Sequence, residues 1–162
     1  MKYSIIAGCF DPLHDGHIEF INFALGGRDG VIILLASDDF IIAKKRKHFM
    51  PYNVREVIMK NVKGVVHVQE LGIAKNITDV TPMDKVVSFA GVLPKIANKF
   101  NNDNLTFIHN ETDARGIKET AALCDKYGIG FIAVDNEANR QSSSSSQLLK
   151  NWVAANPGIK AS

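Results

Sequence analysis

The chain has 162 residues, 46% of them apolar and 22% charged, which suits one compact domain with its own core and excludes a disordered or collagen-like polymer. Nineteen basic against seventeen acidic residues leave a formal charge of +2, so no overall imbalance points to nucleic acid or to an anionic membrane. Two cysteines, Cys9 and Cys124, are too few for a disulfide scaffold, and the longest strongly apolar run, Val31 to Ala36, is too short to span a bilayer. The apolar stretch Ile5 to Phe10 meets Asp11 at once, which is not a secretory pattern. The expectation is a single cytoplasmic domain over residues 1–155, followed by a short tail over 156–162.

In chain order, Tyr3 to Gly8 reads as a buried strand, and Gly16 to Leu25 as a helix stopped by Gly26 and Gly27. Val31 to Ser37 is a continuous apolar run of the kind covered on both faces of a sheet. A polar, basic stretch follows, read as a mobile loop. Pro51 then opens a helix over Val54 to Val62, and Val65 to Val68 is a third strand. Met83 to Phe100 carries a helical pattern that Pro94 is predicted to kink or break. Leu105 to His109 is a strand, Ile117 to Tyr127 a helix, Ile129 to Asp135 a strand, and Ser146 to Ala155 a last helix. Strands alternating with helices predict an α/β, Rossmann-like, doubly wound parallel sheet of five strands with helices on both faces. Ligands of such a sheet bind beyond the carboxyl ends of its strands, where strand order reverses.

The loop after the first strand runs Gly8-Cys9-Phe10-Asp11-Pro12-Leu13-His14-Asp15-Gly16-His17 into a helix. Gly8 permits close backbone approach, Pro12 stiffens the turn, and Gly16 lets the helix start against a ligand. Free amides at a helix start form an anion site. His14 and His17 can donate to phosphate oxygens, as neutral rings or as cations. The plainer reading is two histidines that fall in one loop by chance, or a pair that ligates a metal. Lys44, Arg46 and Lys47 form a basic run at the end of the second strand, and Arg55 lies on the next helix. Taken alone, these are as well read as solvated surface. Arg140 and the run Ser142 to Ser146 precede the last helix, where hydroxyls cap orphan amides and can hold phosphate oxygens.

The first loop resembles the G-x-F-D-x-x-H-x-G-H signature of the cytidylyltransferase-like nucleotidyltransferases, and the N-terminal half is most similar to glycerol-3-phosphate cytidylyltransferases. Arg140 and Ser144, Ser145 and Ser146 resemble the second signature of that superfamily, without the usual isoleucine before it. The resemblance implies transfer of a nucleoside monophosphate, CMP from CTP, to a small phosphorylated acceptor such as glycerol 3-phosphate, with release of pyrophosphate. It implies His14, His17 and Lys44 as catalytic residues. It also implies Gly8, Cys9, Phe10, Asp11, Gly16, Arg46, Arg55, Asp113, Arg140 and the three serines as nucleotide- or phosphate-binding residues. Asp11 keeps three readings: contact to the metal, contact to the acceptor, or bracing of the loop. A magnesium ion is expected to come with the triphosphate, held mainly by phosphate oxygens and water. Relatives suggest a homodimer, with no nucleic-acid or membrane partner.

The acceptor phosphate is already ionised near neutrality, with a second pKa of about 6, so no general base or covalent intermediate is required. The protein must supply in-line positioning and compensation of negative charge. Two departures weaken the substrate reading. The glycine-rich segment usual after the fourth strand is here His109-Asn110-Glu111-Thr112-Asp113, and the stretch from about Leu71 to Asn104 is longer than in small cytidylyltransferases. Two alternatives therefore stand. One is adenylyl transfer from ATP to a heptose phosphate, pantetheine phosphate or flavin nucleotide. The other is a nucleotide-binding regulatory module without catalysis.

Overall fold

A computed structural model of the chain describes residues 1–110, 114–134 and 145–158; for Ser145 and Ser146 it describes the backbone alone. The strands are β1 Tyr3–Gly8, β2 Gly30–Ala36, β3 Val65–Leu71, β4 Leu105–His109 and β5 Gly130–Ala133. The helices are α1 Asp15–Leu25, α2 Asp38–Lys45, α3 Tyr52–Lys60, α4 Pro82–Phe100, α5 Ala114–Lys126 and α6 Ser145–Ala155, and a 3₁₀ turn covers Asn102–Asn104. All strand pairs are parallel, in the order β3-β2-β1-β4-β5, so the order reverses between β1 and β4. The predicted α/β architecture of five parallel strands is the observed one.

Side-chain alternation along the central strands builds two cores, one on each face of the sheet. Ile5, Ile32 and Leu34 pack with Phe40 and Ile41 of α2, Phe89, Leu93 and Ile96 of α4, and Cys124 of α5. Ile6, Val31, Ile33 and Leu35 pack with Ile21 and Ala24 of α1 and Met59 of α3. Every residue of β2 is buried, as its unbroken apolar run requires. Among the described residues, no helix is long and apolar enough to cross a membrane.

Two expectations change. The basic stretch after β2 is not a loop from its start. Ser37 caps α2 by accepting a hydrogen bond from the Phe40 amide at 3.1 Å, and Lys44 and Lys45 form the last turn of that helix. Pro94 does not break α4, which runs unbroken from Pro82 to Phe100. Val92, Leu93 and Ile96 are buried on either side of the proline, so tertiary packing holds both halves of the helix on the sheet. The long Leu71 to Asn104 stretch resolves into a connection over 72–81, α4 and the 3₁₀ turn.

Candidate active site

The loop between β1 and α1 is organised by its own side chains. Phe10 has a positive φ of 47° and folds its buried ring back beneath Gly8, where a Cβ would lie 2.9 Å from the ring. The same ring lies 4.9 Å from that of His17. Gly8 is thus needed for Phe10, and Phe10 supports His17. His14 is the N-cap of α1: its Nδ1 accepts from the Gly16 amide at 3.1 Å, while its own amide donates to His17 Nδ1 at 3.2 Å. The two imidazoles stack with centroids 3.8 Å apart and planes 25° from parallel.

This cap settles the protonation of the pair. Each Nδ1 accepts a hydrogen bond, so each neutral ring carries its proton on Nε2. Burial, reinforced by His14 and Lys45, pushes His17 down to about 4. Burial also lowers His14, with Asp15 opposing and Lys45 assisting. Both rings are neutral at pH 7, with Nε2–H as the group each can donate. The Gly16 amide is shared between His14 Nδ1 and Asp15 Oδ1.

Above the carboxyl ends of β1, β2 and β3 lies a cleft of about 210 Å³. Gly8, Cys9, Phe10 and His17 line it from the β1 side, and Lys44 and Lys45 from α2. Lys85 and Phe89 of α4 face it from a third side, and Asn110 closes it after β4. Among the described residues no Asp or Glu lines it. Lys85, Phe89 and Asn110 were not singled out in the sequence, and Lys45 only as one of a basic run. The available signal for Lys85 was its place four residues before Phe89, on the buried stripe of α4.

Other predicted residues lie elsewhere or serve the frame. Asp11, only 4% exposed, accepts from the amides of Phe49 at 2.7 Å and Met50 at 2.6 Å and so braces the connection after α2. Arg55 is 1% exposed and donates to the carbonyls of Met50, Cys9 and Ala36 and to Asp38 Oδ1 at 2.8 Å. That arrangement makes it a buried tie between β1, β2, α2 and the start of α3. Arg46 takes a left-handed conformation at the end of α2 and donates to the Thr78 carbonyl, away from the cleft. His109 is buried among the rings of Phe89, Phe107 and Phe131. Asp113, Arg140 and Ser144 lie outside the described residues, as do the side chains of Ser145 and Ser146, whose backbone opens α6.

A family model described as cytidylyltransferase-like matches residues 5–151. The chain is 32% identical over 92 residues to a glycerol-3-phosphate cytidylyltransferase of Staphylococcus aureus, a match covering 56% of this chain and 70% of that protein. It is 32% identical over 71 residues to an FAD synthase of Pyrococcus horikoshii, covering 44% of this chain and 47% of that protein, about half its length. A crystal structure of Thermotoga maritima TmcAL bound with alpha-thio ATP superposes with a TM-score of 0.65. At 13% identity, over 97% of this chain and 51% of that one, it is a likeness of fold alone.

Proposed function

Because the chain belongs to the cytidylyltransferase-like family and is a nucleotidyltransferase, we propose that it transfers CMP from CTP to a small phosphorylated acceptor such as glycerol 3-phosphate. An acceptor phosphate oxygen attacks the α-phosphorus, the bond from that phosphorus to the β-phosphate bridge breaks, and pyrophosphate leaves with the bonding pair. The acceptor needs no base, being ionised above a pKa of about 6. His17 donates its Nε2–H to a non-bridging oxygen of the reacting phosphate, with His14 holding the ring in register. Lys44 and Lys45 offset the charge that builds on the leaving pyrophosphate. Magnesium enters as part of the triphosphate substrate, carried by its oxygens. Among the described residues, no group of three His, Cys, Asp or Glu could hold a metal ion, so no step is assigned to a resident ion.

The observation that carries this reading is the stacked histidine pair whose two Nδ1 atoms are spent on the cap, of which His17 lines one cleft together with Lys44 and Lys45. The FAD synthase relative favours a second reading, adenylyl transfer from ATP with the same residues in the same roles. Purified protein offered CTP or ATP with a panel of phosphorylated acceptors should release pyrophosphate in the presence of one pair only. H17N, whose Oδ1 can replace Nδ1 in the cap but which lacks Nε2–H, should lower kcat by about 10²–10³-fold with the fold intact. Near-normal turnover in H17N would remove His17 from the reaction. Nucleotide binding without pyrophosphate release, at saturating acceptor, would favour the regulatory module.

A further inference from the structure

Helix α2 has a cavity on each side. Phe40, Lys44 and Lys45 line the cleft. Asp39, Ile42, Ala43 and Arg46, at the i, i+3, i+4, i+7 spacing of a single helix face, line a separate groove of about 520 Å³. The other wall of the groove is the segment over 73–78, after β3. A helix of eight residues is thus the partition between the two. The groove is a standing space and not a closed packing contact. Ile42 lines it with Ile73 and Ile77 yet stays 44% exposed, whereas apolar side chains in a packed interior close on one another. Arg46 ties the walls together by donating to the Thr78 carbonyl. Each wall also turns at a left-handed residue, Arg46 with φ 71° and Asn76 with φ 70°.

The lining defines what fits. Ile42, Ala43, Ile73, Ala74 and Ile77 form an aliphatic surface, and among the described residues no aromatic ring lines the groove, so it offers a nucleobase nothing to stack on. Arg46 and Lys75 bring two cations against the single carboxylate of Asp39. Among the described residues neither Lys75 nor Asp39 enters an ion pair. We propose that the groove is a second ligand site, for a small organic anion with an aliphatic body such as a medium-chain carboxylate, and that its occupancy is felt in the cleft through α2. The anionic end meets Arg46 and Lys75, and the chain covers Ile42 and Ile77. A ligand there bears on the helix that carries Lys44 and Lys45, so it shifts the affinity for the triphosphate, and the triphosphate shifts its affinity by the same factor. The coupling rests on the transferase reading, which sets the triphosphate on those lysines; the site itself does not.

Calorimetric titration of the full chain with octanoate reads the site without any nucleotide. Octanol, octylammonium and acetate are the controls for charge, its sign and the apolar body, and each should bind at least about tenfold more weakly. I42D, at an exposed position, should weaken octanoate binding by about tenfold or more, and K75E by about threefold or more, with the circular dichroism of the fold retained. Saturating octanoate should move CTP affinity by about twofold or more in the wild type and leave it unmoved in I42D. Absence of octanoate binding in the wild type, or binding unchanged in both variants, would overturn the site. Strict competition between octanoate and CTP would place the carboxylate in the cleft and overturn it equally. An unmoved CTP affinity would overturn the coupling. Protein that binds octanoate as expected but neither CTP nor ATP would retire the transferase reading, and the coupling with it, and leave the site standing.

Discussion

Arg55 shows how a cationic residue beside the cleft can belong to the frame. Its guanidinium joins the carbonyl of Cys9 after β1, that of Ala36 at the end of β2, that of Met50 before α3, and the Asp38 carboxylate on α2. Removing the charge would leave those acceptors buried without a partner, at a cost of about 3–5 kcal/mol. That is a large share of the 5–15 kcal/mol typical of a domain's stability. R55M should therefore lower the urea midpoint strongly, whereas a purely ligand-binding arginine would leave the midpoint unchanged and raise KM. The arginine was visible in the sequence as one of a basic series, but nothing local distinguishes a buried arginine from a solvated one. Its partners lie 5 to 46 residues away in the chain. By contrast, His14 and His17 were legible because their spacing of three sets both on the first turn of one helix. What the spacing did not reveal is that each ring accepts a backbone amide through Nδ1, which leaves Nε2 as the donor.

Among the elements, α2 escaped notice because it has only eight residues, four of them charged, and its apolar residues Phe40 and Ile41 give little periodicity. It exists through its cap and its packing on the sheet. S37A should remove the hydrogen bond to the Phe40 amide and cost about 1 kcal/mol, measured by thermal or urea unfolding. Because α2 delivers Lys44 and Lys45, the same variant should raise KM for the triphosphate without a matching fall in kcat at saturation. Pro94 marks the opposite error. Propensity argued for a kink or a break in α4, and the break does not occur, because Val92, Leu93 and Ile96 bury enough surface to hold the helix through Pro94. The five strands were legible for a simpler reason: β-branched runs between turn residues, at α/β spacing, admit few arrangements.

For the molecule as a whole, the neutral histidines couple folding to pH. His17 titrates at about 4 in the fold and near its ordinary 6.5 when unfolded, so between these values the unfolded chain binds more protons. Stability is therefore fully present above about pH 6.5 and declines as pH falls towards 4, by about 2–3 kcal/mol from this group. Urea titrations across that window should show the slope in wild type and a flatter dependence in H17N. Activity should fall over the same range for a further reason, since the acceptor phosphate loses its second charge below about pH 6. The same scale shows what Asp11 does. Its carboxylate grips two consecutive amides of the α2–α3 connection, and Arg55 grips the next carbonyl and the loop of Cys9. The β1–α1 loop and the segment after the basic helix are consequently one mechanical body. Whatever enters the cleft meets, on the side of β1, a wall whose parts are tied to move together.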